Sequence, residues 1–477
     1  MKKNILLVIL ATCSFYGLSS CNEDRLDLEP VFDDPYTGII KDEEQMGQYV
    51  NNIYNSLALG SNFSSNIILY GDMVSENVFI SLDNISGYHN VANGLNWSGD
   101  SGFSGWRGLY DVIQKANFVI LNSNLPTNEN VISYKGEAKI ARGLAYFYLA
   151  QQYSSNPTSG EYQEYGVPLV LSDYNSGLAP SRNTVSEVYN QIIKDLSEGI
   201  NEMSVSAHTS KTFLSPTAGR LILSKVYLTR GQSGDYDKAI QYADETLNNA
   251  PSNFKLLEKS QMTDYFTGTT AEKYEEQPET IFEIEQNANY TLSTNGHLAT
   301  FYSNSGAHRG FNVRKGVYDL FDDSDTRKNL YNLNTNSKLD DVKGYWTKKY
   351  PRSVGGNYAG NIKVFRMTEA LYVKMEALAK KGDSKSALAL LNTHATSYGA
   401  KPYTGDVLTA ILLDKQKEFL TEGHRFYDLK RNNLGFKKET NCNGNCSASG
   451  NSLYFVYPVS LTERLLNPNI VQHPLWQ

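Results

Sequence analysis

The sequence is poor in the residues that build metal and cofactor sites. Only 7 histidines and 4 cysteines occur among 477 residues. The histidines are dispersed, and the chain has no His-Glu-x-x-His pair, no Gly-x-Ser-x-Gly nucleophile elbow, no phosphate-binding loop and no EF-hand loop. We therefore predict no metal site and no cofactor, although a structural calcium ion is compatible with the sequence without being indicated by it. These absences favour a chain that is not an enzyme.

An excess of positive charge is also missing. The formal charge is −7 and the sequence pI is about 5.6. Nucleic acids and anionic lipid surfaces are bound through basic faces, so we expect no nucleic-acid partner. Beyond the N-terminal segment, no apolar run approaches the ~20 residues that a membrane-spanning helix requires.

Tyrosine is the residue that the chain has in abundance. There are 33 tyrosines, and aromatic residues make up 12% of the sequence. A tyrosine side chain combines a large apolar face with a polar tip, which suits contacts that are wet on one side. This composition is more typical of a binding protein than of a metalloenzyme.

The N-terminal segment is typical of a secretory signal. Lys2 and Lys3 precede an apolar stretch that ends in Leu18-Ser19-Ser20, and Cys21 follows directly. This arrangement resembles the lipobox of bacterial lipoproteins, in which the cysteine is lipidated and becomes the first mature residue. We predict a signal peptide over residues 1–20, lipidation (a palmitate-type anchor) at Cys21 and a polar, acidic tether over 21–40. A signal peptide with a chance cysteine is the alternative.

Cys442 and Cys446 flank a short Asn-Gly-Asn segment in a loop rich in Ser, Asn and Gly. In an oxidising compartment, a disulfide between them is the leading interpretation. A zinc site is disfavoured because tetrahedral coordination needs two further ligands at recognisable spacing.

Helical periodicity dominates the chain and predicts a mainly α fold. Val185, Val188 and Ile192 recur at helical spacing, and Thr184 with Glu187 forms a capping-box pattern before them. The segment 252–360 breaks this rhythm, because it is rich in Tyr, Asn, Gly and Ser; its one clear strand pattern is 280–284. We predict one compact globular body with an N-terminal helical part (41–251), a loop-rich, ligand-binding excursion (252–360) and a C-terminal helical part (361–477).

Two helical pairs resemble tetratricopeptide repeats. The first contains Gly234, Tyr236 and Ala239 at the consensus spacing, with Pro251 twelve residues after the alanine. The second runs from about residue 371 through Gly382 to about 391. Because the two pairs are far apart in the sequence, they do not form a simple tandem array.

The C-terminal third resembles the SusD/RagB family of outer-membrane lipoproteins. The segment 418–431 carries the glutamate–leucine, glutamate–glycine, arginine and aspartate–leucine signature, and Asp414-Lys415 replaces the preceding Glu-Arg. Two upstream blocks (137–149 and 165–170) and the ending (457–474) are similar to other blocks of that family. The charged residues of the signature look structural, since Glu418 and Glu422 are one helical turn apart.

The resemblance implies a SusD-like fold: tetratricopeptide-like helical pairs as a scaffold, with an irregular region of few short strands. It also implies a non-catalytic protein, lipid-anchored in the outer membrane and facing outward. Such a protein binds an oligosaccharide or polysaccharide and delivers it to a SusC-like TonB-dependent transporter for nutrient uptake. A RagB-like peptide-binding member is the alternative. A glycoside hydrolase is a second alternative, because two carboxylates on separate loops leave no sequence signature.

Sugar recognition needs flat apolar faces together with planar polar groups. Trp97 lies in a polar, glycine-containing loop, and we expect it to be an exposed platform, whereas Trp106 fits the apolar face of a helix. The other candidates share loop positions or polar side chains near these loops. They are Asp72, Tyr88, Asn96, Asp100, Tyr302, Arg309 and Trp346.

Overall fold

The computed structural model describes the chain from residue 39 onward, except residues 85, 104, 122–123, 174, 176, 204–209, 303–309, 355 and 357. The predicted signal peptide, Cys21, most of the tether and Arg309 therefore lie outside the described residues. Residues Ile40–Gln477 pack together as one unit. Helices predominate in it, which confirms the predicted fold class.

The longer helices occur in two groups, one on each side of the middle region. In the first part of the chain the helices are α1 (Glu43–Leu57), α2 (Asn66–Met73), α3 (Asn90–Asn93), α4 (Gly105–Leu121), α5 (Glu129–Tyr153), α6 (Val185–Glu202), α7 (Pro216–Arg230) and α8 (Asp235–Asn248). Later come α9 (Met262–Thr267), α10 (Ala271–Tyr274), α11 (Ser293–Gly296), α12 (Leu298–Tyr302), α13 (Lys315–Tyr318), α14 (Met367–Lys381), α15 (Ser384–Ser397), α16 (Val407–Glu418), α17 (Arg425–Arg431) and α18 (Leu461–Leu466). Short 3₁₀ turns lie at Lys259–Gln261, Thr326–Leu330, Leu453–Phe455 and Pro474–Trp476.

The strands are short. They are β1 (Val78–Ile80), β2 (Thr280–Ile284), β3 (Phe311–Val313), β4 (Tyr331–Leu333), β5 (Tyr345–Thr347), β6 (Ile362–Arg366), β7 (Phe436–Lys437) and β8 (Ser447–Ala448). In the described chain β1, β3, β5 and β4 form one antiparallel sheet in that order, while β2 pairs with β6 and β7 with β8. The strand predicted at 280–284 is thus confirmed as β2.

Local interactions define the ends of several helices. Thr184 accepts a hydrogen bond from the backbone of Glu187, and the Glu187 carboxylate accepts from the backbone of Thr184, so the capping box of α6 is confirmed. Gly231 and Gly382 end α7 and α14 in the left-handed conformation, with φ of 61° and 98°. Glycine adopts this conformation without the steric cost that a Cβ atom imposes.

The two repeat-like pairs, α7–α8 and α14–α15, pack against each other through α8 and α14. Ala239 and Ala243 of α8 are fully buried, and such small residues let helices approach closely. Between the pairs, Lys374 and Asp244 form an ion pair at 2.6 Å, and Lys225 approaches Glu369 at 2.5 Å. Pairs that are separate in the sequence therefore form one scaffold.

Buried ion pairs hold the C-terminal signature inside the scaffold. The Arg327 guanidinium contacts Asp414 at 2.8 Å and Glu418 at 3.0 Å, and Arg366 contacts Glu418 at 2.8 Å and Glu422 at 2.7 Å. Burial would raise the pKa of Asp414, but the charge of Arg327 outweighs burial and lowers it to about 2. These carboxylates therefore form ion pairs inside the protein, as expected for a signature with a structural role.

No helix within the described ranges is both long and apolar enough to cross a membrane.

Candidate functional site

Two loops that are distant in the sequence are clamped together directly after β1. The Asp340 carboxylate accepts hydrogen bonds from the Ser81 hydroxyl at 2.6 Å and from the Leu82 backbone N–H at 2.7 Å. Asp83 in turn accepts from two backbone N–H groups of the opposing turn, at 2.7 and 3.1 Å. Burial would raise the pKa of Asp83, but these hydrogen bonds outweigh it and lower the pKa. Two carboxylates thus fix the relative position of the loops.

Aromatic contacts attach the same region to helix α12. His89 adopts a left-handed φ of 60° just before α3, and its ring lies 5.1 Å from the ring of Phe301 and 5.8 Å from that of Phe311. The Tyr70 hydroxyl lies 3.2 Å from His89 Nδ1. The ring of Tyr88 lies 6.4 Å from Phe301. The loop that carries Tyr88 therefore packs against the aromatic rings of Phe301 and Phe311.

Apolar side chains remain exposed on these loops. We call residues 81–84, 86–91, 298–302 and 334–342 the loop cluster. Its exposed apolar side chains are Leu82, Tyr88, Val91 and Leu339, with exposures between 43% and 60%. A tyrosine ring among aliphatic groups and hydrogen-bonding loops suits a ligand that has both apolar faces and hydroxyl groups. The sequence analysis names Tyr88 as a candidate but not Leu82, Leu339 or the Asp83–Asp340 contacts.

Trp97 is not an exposed platform, and the expectation for it needs correction. Its side chain is 6% exposed. The indole packs against Phe103, Tyr454, Tyr457 and Trp476, with ring centroids 4.8 to 6.5 Å away. This aromatic cluster joins the loop before α4 to the C-terminal segment, because burial of these large rings is more favourable than exposure to water.

Asp72 and Tyr302 are also buried rather than presented to a ligand. Asp72 accepts hydrogen bonds from the Asn77 amide at 2.5 Å and from the Gly423 backbone at 2.7 Å. Burial outweighs these bonds and raises its pKa to about 7. Tyr302 stacks on Tyr350 with a ring separation of 5.4 Å, and burial raises its pKa well above the usual value. Both side chains therefore contribute to the fold rather than to an exposed binding surface.

The other predicted site residues are dispersed. Asn96 is exposed, and Asp100 is exposed and paired with Arg464 of α18. Trp346 is half-buried in β5, opposite Asn332 of β4. The structure therefore places Tyr88 on the loop cluster, whereas Trp97 and Asp100 contact the C-terminal segment.

A disulfide joins Cys442 and Cys446. The loop that it closes contacts two neighbouring loops. Asn441 accepts a hydrogen bond from the backbone N–H of Val342, at the end of the loop cluster, at 3.2 Å. The segment between the cysteines donates from its backbone to the Gly94 carbonyl at 2.9 Å. The disulfide loop therefore bridges the segment after α3 and the loop cluster.

Metal binding receives no support from side-chain geometry. Within the described ranges, no group of three or more His, Cys, Asp or Glu side chains is arranged to hold a metal ion.

Comparison with known families identifies the class to which this helical fold belongs. A model described as "Starch-binding associating with outer membrane" (SusD-like) matches residues 24–228. A second model, of the SusD family (SusD/RagB), matches residues 228–476. The chain belongs to the SusD/RagB family. None of the curated proteins matches the chain in sequence.

Solved structures share the fold at low sequence identity. A SusD superfamily protein from Bacteroides thetaiotaomicron is 22% identical, with a TM-score of 0.81, over 91% of this chain and 100% of the other. A SusD-like carbohydrate-binding protein from Bacteroides vulgatus is 21% identical, with a TM-score of 0.74, over 90% and 97%. A laminarin-binding SusD-like protein is 20% identical, with a TM-score of 0.69, over 91% and 99%.

Proposed function

We propose that the protein binds a glycan on the loop cluster without cleaving it. Membership of the SusD/RagB family carries this proposal, since one matching model is described as starch-binding and similar structures are described as carbohydrate- and laminarin-binding. The exposed ring of Tyr88 supports the location, because an aromatic ring can stack on the apolar face of a sugar.

We further propose that the protein is lipid-anchored at Cys21 in the outer membrane, faces outward and passes oligosaccharides to a SusC-like TonB-dependent transporter. The lipobox-like sequence before Cys21 supports the anchor, and the description of the first family model supports the membrane. In the test, Cys21→Ala is expected to abolish fractionation with the outer membrane and recovery of a barrel protein after cross-linking. Unchanged fractionation of this variant would rule out the anchor.

The binding experiment uses the chain from Asn22 onward, which retains the whole unit Ile40–Gln477. Maltoheptaose and laminarihexaose are titrated into this protein by calorimetry. We expect a Kd between about micromolar and millimolar, since ~4 kcal/mol suffices for a millimolar site. Tyr88→Ala should weaken binding about tenfold, while Leu466→Ala, which removes an exposed apolar side chain from α18, should not.

The same incubation tests catalysis. Reducing ends should not increase when either oligosaccharide is held with the protein, because the protein is proposed to bind without hydrolysis. Release of reducing ends would support the glycoside hydrolase alternative. Failure to bind either sugar, with binding of a peptide, would support the RagB-like alternative.

A further inference from the structure

A second cleft lies apart from the loop cluster, beside helix α1. Its volume is about 630 Å³, within the ~300–1,000 Å³ range of small-molecule sites. The C-terminal half of α1 forms one wall, and the segment after β2 forms the other. We call it the Tyr290 cleft; its principal lining residues are Asn51, Tyr54, Asn55, Phe213, Glu285 and Tyr290.

The helix wall presents two amides and one oriented ring. Asn51, Tyr54 and Asn55 are three and four residues apart, so they share one face of α1. The Tyr54 hydroxyl accepts a hydrogen bond from the Leu214 backbone at 2.8 Å and donates to the Glu137 carboxylate. These bonds fix the Tyr54 ring, which lies edge-on to Phe213 at 5.1 Å. Both asparagines are exposed.

The opposite wall of the cleft carries a solvent-exposed aromatic ring, that of Tyr290. Tyr290 is 75% exposed, and it makes no ring–ring contact with any residue that the structure describes. Its backbone is nevertheless anchored, because the Asn287 side chain accepts hydrogen bonds from the N–H groups of Asn289 and Tyr290 at 2.9 and 3.0 Å. The neighbouring Gln286 is buried and donates from its backbone to Asn361 at 2.9 Å. A well-anchored turn therefore exposes a ring that contributes little to folding.

The chemistry of the lining favours a neutral, hydroxyl-rich ligand. Among the described lining residues, Glu285 carries the single formal charge, and no cation is present to hold an anionic ligand. Rings on both walls offer flat apolar faces, and the amides offer both donors and acceptors. A peptide added as a strand to β2 is disfavoured, because the Glu283 backbone N–H already donates to the Lys211 carbonyl at 3.0 Å.

We infer that the Tyr290 cleft is a second carbohydrate-binding site, which takes a neutral oligosaccharide with Tyr290 as its stacking platform. This inference rests on the proposed function for the class of ligand, but it concerns a different surface. The exposed Tyr290 ring can stack on a sugar that enters from solvent, and Asn51 and Asn55 can bond its hydroxyl groups from the helix side. Two sites on one chain would let a polysaccharide be held at two points.

The experiment must resolve the two sites. Hydrogen–deuterium exchange is measured on the chain from Asn22 onward, with and without saturating maltoheptaose or laminarihexaose. The wild type should show protection in residues 284–292 as well as in 81–91. Tyr290→Ala should lose protection in 284–292 and bind there about tenfold more weakly, whereas Tyr290→Phe should retain it. Tyr88→Ala serves as the matched control and should lose protection only in 81–91.

Each outcome decides between the two proposals. Protection that is confined to 81–91, and that Tyr290→Ala leaves unchanged, would overturn the second site and leave the proposed function standing. Protection that is confined to 284–292, and that Tyr88→Ala leaves unchanged, would support binding in the Tyr290 cleft. It would also show that the glycan binds there instead of on the loop cluster. Protection in neither segment, with no calorimetric binding of either sugar, would refute both. Circular dichroism verifies that the variants are folded.

Discussion

Replacement of Trp97 by alanine tests whether this tryptophan is a core residue or a binding platform. The indole is 6% exposed and contacts four aromatic rings, so the substitution removes a large buried side chain and leaves a cavity. Such substitutions cost about 3–5 kcal/mol. At ~2 °C per kcal/mol for a chain of this size, the melting temperature should fall by roughly 6–10 °C.

The assay pairs thermal unfolding, followed by circular dichroism, with calorimetric binding of the same oligosaccharides at 25 °C. Trp97→Ala should unfold early yet bind within about twofold of the wild type, because its ring faces Phe103 and Trp476 rather than solvent. Tyr88→Ala should show the reverse, since its ring is 43% exposed. A Trp97→Ala variant with an unchanged melting temperature and weakened binding would refute the burial argument.

Two further perturbations test the surroundings of the loop cluster. His297 is held neutral, because Ala299 donates to its Nδ1 and burial lowers its pKa to about 4. Below pH ~6.5 the unfolded chain therefore binds more protons than the folded chain, so the free energy of unfolding falls as the pH drops from 7 to 4. Urea unfolding should show that the free energy of unfolding falls by about 2 kcal/mol less in His297→Gln than in the wild type between pH 7.5 and pH 5. Replacing Cys442 and Cys446 by serine should cost about 2 kcal/mol and increase amide exchange around residues 94 and 342, and unchanged exchange there would show that the disulfide does not hold these loops.

Local signals in the sequence were sufficient for the individual helices and for strand β2. The capping box at Thr184 and Glu187, the strand at 280–284 and the left-handed ends of the repeat-like helices depend on residues that are close together in the chain. Periodicity reports burial against a neighbouring helix without identifying that neighbour. For this reason the helices could be predicted, whereas the packing of α8 on α14 could not.

The site depends on contacts that no local pattern reveals. The Asp340 carboxylate reaches a backbone N–H that is 258 residues away, at Leu82. The glycine-containing loop around Trp97 resembles an exposed loop by composition. However, a Cβ atom at Gly99 would lie only 2.7 Å from the Trp476 carbonyl oxygen. That glycine permits the close approach of the C-terminal segment, which buries Trp97, so its presence there indicates packing rather than exposure.

The charges of the signature are engaged in ion pairs, whereas the rings that we propose to bind ligand are exposed. Glu418 and Glu422 are paired with buried arginines. The ring of Tyr88 lies near that of Phe301, and the backbone of Tyr290 donates to the side chain of Asn287. A buried ion pair that loses one partner is costly, so the signature can change little without loss of the fold. An exposed ring on an anchored turn can be replaced at small cost in stability. Ligand preference in this chain should therefore depend on the loops, and substitutions at Tyr88 and Tyr290 should alter binding while the scaffold stays intact.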